Sequence, residues 1–193
     1  MEALVVYESM YGNTRAIATE VAAGLGGTHE VTLVPVARAT RELVAVAGLI
    51  VAGAPTHVHG MPSVASRRSA AETGRKPGSG LTMDPDAGGP GLRAWLEALG
   101  AEGALAAAFD TRRSGMPVLT GRASRGIARL LTRRGCRVLL APESFLVSGQ
   151  NTLLDREAMR AKAWGAQVGE TARAAIAAAS VYPPPQVRAK GTA

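Results

Sequence analysis

Short apolar runs rich in valine, leucine and alanine alternate along this chain with stretches of helical periodicity. That alternation restricts the fold more than any single motif. The runs are Ala3–Tyr7, Glu30–Val36, Gly48–Gly53, Gly103–Phe109 and Arg137–Leu140, the last resumed at Ser144–Val147. Between the first two, Ile17, Ala18, Val21, Ala22 and Leu25 recur at helical spacing, and Gly26-Gly27 stops the pattern. Further helices are expected over 40–46, before Gly74, over Leu92–Leu99, over Gly121–Arg134, and from an Asp155 N-cap to Ala179. Pro35 cannot donate to a ladder, which places the second strand at an edge. The third run has no polar alternation, as in a strand buried on both faces. Strands alternating with helices mean an α/β fold, a parallel sheet covered on both faces. Five strands in a chain this short fit the order 2-1-3-4-5. Ligands of such sheets bind beyond the C-terminal strand ends, at the switch point between strands one and three. The loops after strands one, three and four are therefore the places to look.

At 193 residues the chain has room for one substantial domain, taken as residues 1–180. Gly74–Gly91, rich in glycine, proline and aspartate, is too long for a simple connection and reads as either a functional flap or a disordered insertion. Residues 181–193, with Pro183-Pro184-Pro185, read as a disordered tail. The single cysteine, Cys136, excludes an internal disulfide and is expected to be buried and inert. Glu2 and Glu8 stand where a signal peptide would be basic, and no apolar stretch reaches the roughly 18–20 residues of a spanning helix. A soluble cytoplasmic protein is expected. The net charge is +7, yet residues 111–137 contain eight arginines and no carboxylate, so this one segment holds the whole excess. Such a patch concerns partners more than fold.

The first loop is Ser9-Met10-Tyr11-Gly12-Asn13-Thr14. A helix N-terminus offers free N–H groups and the positive end of the helix dipole, which together bind anions. Gly12 permits close approach, while Ser9, Asn13 and Thr14 add neutral hydrogen bonds. Neither a P-loop lysine nor G-x-G-x-x-G is present, which argues against a magnesium nucleotide or a dinucleotide at this turn. A simple capped helix start is the plainer alternative. The second loop, Pro55-Thr56-His57-Val58-His59-Gly60, is suited to presenting main-chain groups to a planar ring. Its histidine pair lacks a third ligand, so no metal is expected. The third, Asp110-Thr111-Arg112 onward, reads as polar and flexible.

Together with ALVVYESMYGNT these loops resemble the flavodoxin family over roughly residues 3–179. The resemblance rests on Ser9, Gly12, Asn13 and Thr14, which match the family's phosphate loop. It implies a flavodoxin-like fold and FMN as cofactor, its phosphate held by neutral donors at Ser9, Met10, Tyr11, Gly12, Asn13 and Thr14. It further implies that Pro55, Thr56, His57, Val58, His59 and Gly60 line one side of the isoalloxazine and that Asp110, Thr111 and Arg112 lie along another edge. The chain departs from the family in being basic, in having no aromatic within 110–117, and in carrying the 74–91 stretch.

The resemblance implies an electron carrier cycling between flavin semiquinone and hydroquinone, with redox partner proteins that have acidic surfaces. The alternative is an FMN-dependent NAD(P)H:quinone-type oxidoreductase, in which Arg112 or Arg113 would receive a phosphate or carboxylate and His57 or His59 would donate a proton. A third reading, nucleic-acid binding by Arg122, Arg125, Arg129 and Arg133, lacks the interleaved aromatics that stack bases. Trp95 and Trp164 read as packing residues, and Tyr11 as the better aromatic for cofactor contact. Donor, acceptor and oligomeric state are not legible.

Overall fold

The computed structural model describes residues 1–181. Six strands form one parallel sheet: β1 (Glu2–Tyr7), β2 (Glu30–Pro35), β3 (Leu49–Pro55), β4 (Leu105–Arg113), β5 (Arg137–Val138) and β6 (Glu143–Val147). The order is β2-β1-β3-β4-β5, and β6 also pairs with β4. The expected order 2-1-3-4-5 is thus present, with its last strand in two pieces. β5 pairs with Leu105–Ala106 and β6 with Phe109–Arg113. Pro142, just before β6, has no N–H for a continuous ladder.

The helices are α1 (Asn13–Leu25), α2 (Arg41–Val46), α3 (Val64–Arg75), α4 (Leu92–Glu97), α5 (Pro117–Thr120), α6 (Ala123–Arg133) and α7 (Glu157–Val181). Alternate strand residues point to opposite faces. Leu4, Val6, Ile50, Ala52, Ala106 and Ala108 pack with Leu92, Leu96, Ile127 and Leu131 of α4 and α6. Ala3, Val5, Leu49, Val51, Ala107 and Phe109 pack with α1 and α7 through Ile17, Val21, Trp164 and Val168. Phe109, Phe145 and Trp164 meet edge to face with centroids 6.1 Å apart, an arrangement aromatic quadrupoles favour. Trp95 lies against the other layer and donates to the Ala39 carbonyl at 2.9 Å. Cys136 is buried and free.

Several expectations need correcting. β4 runs to Arg113, so Asp110, Thr111 and Arg112 are buried strand residues and not a flexible loop. The cause is β6, which extends the ladder along them. The helix after strand three runs through Gly74 to Arg75. The expected helix over 121–134 is present as α6, with Arg122 at its N-cap, and a separate single turn, α5, precedes it. α7 begins at Glu157, and Asp155 lies in the preceding turn where Arg156 has φ +69°.

The stretch after α3 is no disordered insertion. Arg67 of α3 donates to the carbonyls of Ala87 and Gly89. Its Nε lies 2.9 Å from the buried Glu8 carboxylate, whose other oxygen accepts from Leu92 N at 2.8 Å. Asp84 N–H donates to the Met10 carbonyl at 2.8 Å, and the buried Asp84 carboxylate faces Arg15 Nε at 3.2 Å. The segment is tied to the loop that follows β1. Of the expected tail, residues 182–193 lie outside the described residues. No helix among the described residues is long and apolar enough to cross a membrane.

Candidate functional site

The loop between β1 and α1 turns on Gly12, whose φ of +89° an L side chain adopts only at a cost. Gly12 N–H donates to Ser9 Oγ at 3.1 Å. No side chain caps α1, and its first turn contains no acidic residue. The positive end of its dipole, equivalent to about half a unit charge, is therefore left for a ligand. Asn13 Nδ2 donates to the Asn151 carbonyl at 2.8 Å and to its Oδ1 at 3.1 Å. Thr14 Oγ1 and Thr111 Oγ1 share a hydrogen bond of 2.7 Å. Tyr11 donates its hydroxyl to the Ala70 carbonyl at 2.7 Å, fastening the loop to α3.

From this turn a cleft of about 230 Å³ follows the C-terminal edge of the sheet. Met10, Tyr11, Asn13 and Thr14 line it from the first loop, Pro55, Thr56 and His57 from the end of β3, and Thr111 and Arg112 from β4. Arg113, expected only in the reductase reading, also lines it, and sequence reasoning missed Val147, Ser148, Gly149 and Asn151, which complete the wall. The signal for them was the S-G-Q-N turn after a strand at the same sheet edge. Ser9, Gly12, Val58, His59, Gly60 and Asp110 do not line the cleft. Ser9 and Gly12 shape the turn beneath it, and Asp110 is fully buried behind it.

Asp110 and Thr56 have a structural task that neither motif nor spacing revealed. Asp110 Oδ2 accepts from Ser124 N at 2.7 Å and Thr56 Oγ1 from Ala123 N at 2.9 Å, so both cap α6 from a distance. Burial pushes the Asp110 carboxyl up, and the Ser124 N–H opposes that rise. Arg112 is likewise turned inward. Its Nη1 donates to Thr120 Oγ1 at 2.8 Å, to the Gly115 carbonyl at 3.0 Å and to the Arg113 carbonyl at 3.2 Å, which closes the loop through α5. Burial lowers its pKa.

His57 and Gly60 exchange backbone hydrogen bonds of 2.8 and 3.0 Å around Val58 and His59, whose φ values are +46° and +67°. A tight turn of this kind ordinarily has Asn-Gly at its centre. His57 is held in its neutral form: burial lowers its pKa, and Arg67 adds to the effect. Its neighbour His59 points elsewhere and bridges to Gly121. A Cβ on Gly121, which has φ +76°, would collide with the His59 backbone. Among the described residues no group of three or more His, Cys, Asp or Glu side chains is placed to hold a metal ion.

An uncapped helix start beside a β1–β3 switch point has a counterpart among known proteins. Residues 5–84 match the family model described as Flavodoxin. That match contains the β1–α1 loop, the His57 turn and the start of the 74–91 stretch. No curated protein matches the sequence. Solved structures place the flavodoxin fold over almost the whole chain. An archaeal flavodoxin is 20% identical, with 90% of this chain and 99% of that one covered and a TM-score of 0.63. A WrbA-like flavodoxin from Agrobacterium tumefaciens is 20% identical over 90% of this chain and 98% of its own, with a TM-score of 0.58. Rubredoxin oxygen:oxidoreductase from Desulfovibrio gigas is 17% identical over 91% of this chain and 37% of its own, with a TM-score of 0.61.

Proposed function

We propose that this chain binds FMN as one unit over residues 1–180 and serves as a one-electron carrier in the cytoplasm. The observation that supports this most is the start of α1, with no side-chain cap, no acidic residue in its first turn and Gly12 in the left-handed region. A monophosphate dianion suits such a site, because main-chain N–H groups are fixed donors that need no countercharge. Neutral donors adjoin it: Asn13, Thr14, Thr56, Thr111 and Ser148 line the cleft, with Arg113 at its far wall beside Gly149.

FMN, when bound, supplies the one-electron chemistry. The chain's own groups hold and orient it. Asn13 is fixed by Asn151, which takes both of its amide N–H groups and leaves its main-chain N–H for the anion. Thr14 is fixed by Thr111, so neither side chain has to be ordered when the phosphate arrives. Pro55, Thr56 and His57 present a wall in which His57 remains uncharged. Arg113, exposed at the end of β4, is a cationic group of the lining with no salt-bridge partner among the described residues.

Of the two arginines expected to receive a nucleotide phosphate in a reductase, Arg112 is committed to Thr120 and to main-chain carbonyls, which leaves Arg113 alone and favours a carrier. The FMN-loaded chain is expected to oxidise NAD(P)H no faster than free FMN when a quinone is the acceptor. Turnover near the enzyme median of about 10 s⁻¹ would instead make it a reductase.

A further inference from the structure

On the far side of the His57 turn a second cavity, of about 540 Å³, opens between α4 and α6. Arg93, Arg122, Arg125 and Arg129 line it together with His59 and Val118. None of the four arginines has a salt-bridge partner among the described residues, and Arg122 Nε is buried without any hydrogen-bond partner. A solvated helix face ordinarily interleaves charges of both signs, whereas this one has a single sign. The N-terminal N–H groups of α6 are already taken by Thr56 and Asp110. The positive charge of the cavity thus lies in its side chains.

Beside the cavity, apolar side chains stand where solvent would be expected to select polar ones. Val118 is 89% exposed and Val58 is 85% exposed. Val58 is also held at φ +46°, where a β-branched residue is strained. Asn or Gly would fit that turn without strain, so the turn sacrifices stability for an apolar tip. Exposed apolar groups beside unpaired charge of one sign have the composition of a protein-docking surface and not of a small-molecule pocket.

We propose that this arginine-lined cavity, with Val118 in its lining and Val58 in the adjoining turn, is the docking surface for a partner protein whose clustered carboxylates are flanked by apolar residues. The proposal rests on the FMN reading for its biological sense, since the surface shares the His57–Gly60 turn with the cleft. Charge complementarity selects the occupant: four unpaired guanidinium groups favour clustered carboxylates, and two valines favour an apolar contact among them.

The test uses the full chain loaded with FMN and a small acidic [2Fe–2S] ferredoxin as probe, with affinity measured by calorimetry at several salt concentrations. Arg125→Glu/Arg129→Glu is expected to weaken binding at low salt at least tenfold and to flatten the salt dependence. Val58→Asn is expected to weaken it about threefold with the salt dependence unchanged. Lys162→Glu/Arg173→Glu, an equal charge change on α7, is expected to leave affinity within twofold. The proposal fails if both double variants lose affinity equally, if ferredoxin does not bind at low salt, or if adenosine 2′,5′-bisphosphate or a single-stranded oligonucleotide binds the cavity more tightly than ferredoxin does. FMN affinity is titrated separately for each variant. A chain that takes no FMN yet binds ferredoxin through these arginines would overturn the flavin reading alone.

Discussion

Val58 and Gly12 occupy the same region of backbone space for opposite reasons. At Gly12 the left-handed conformation is free of strain and aims the first turn of α1 at the cleft. At Val58 it carries a penalty of about 1–2 kcal/mol. Val58→Asn is therefore expected to raise stability by about 1 kcal/mol in urea unfolding; a loss of stability would show that the valine packs usefully where it stands. Asp110 offers a test of opposite character. Its folded pKa is raised, so the folded chain binds more protons than the unfolded chain between the ordinary value near 4 and the raised one. Stability from this group is present below that window and is lost as pH rises through it. Asp110→Asn should accordingly gain stability relative to the parent as pH is raised from about 4 to 7. A difference between the two that is flat with pH, or falls, would contradict the assignment. Neither residue's role was legible in the sequence. Positive φ at a valine breaks the local rule, and a carboxylate that caps a helix 14 positions away leaves no mark in local spacing.

At the scale of elements, the alternation of apolar runs placed β1 to β4 correctly within a few residues. A strand buried on both faces is apolar throughout, and glycine or a polar cap follows it. Strand ends were less legible. β4 continues through Asp110-Thr111-Arg112, because ladder partners from β6 and internal hydrogen bonds compensate polar side chains that spacing alone assigns to a loop. The 74–91 stretch was misread for a related reason. Its glycines and prolines suggest freedom, yet its order comes from outside it, through Arg67, Arg15 and the carbonyl of Met10. Arg67 is the central fastening, since it neutralises Glu8 while holding two carbonyls of the stretch. Burial alone pushes the Glu8 carboxyl up, against the pull of Leu92 N–H and Arg67. Arg67→Met should cost about 3 kcal/mol because it strands a buried carboxylate. Adding Glu8→Gln should recover about half, the remainder being the lost bonds to Ala87 and Gly89. A cost below about 1 kcal/mol for Arg67→Met would show the pair to be solvated.

For the whole molecule, the eight arginines of 111–137 do not form one patch. Arg112 is internal, Arg113 faces the cleft, and Arg122, Arg125 and Arg129 line the cavity beyond it. The net charge thus separates into a cleft with one exposed arginine and a cationic neighbour that share one turn. Composition disclosed the excess of charge, but only the fold divides it. The central claim is that main-chain and uncharged donors at the start of α1 hold the phosphate of FMN. Titration of the full chain into FMN, followed by flavin fluorescence, tests it most directly. Tight stoichiometric quenching is expected, with Kd below about 1 μM. Riboflavin, which lacks the phosphate, and the Gly12→Ala variant should each bind at least tenfold more weakly. If FMN and riboflavin bind equally, or neither binds at 50-fold that concentration, the phosphate is not what this turn recognises.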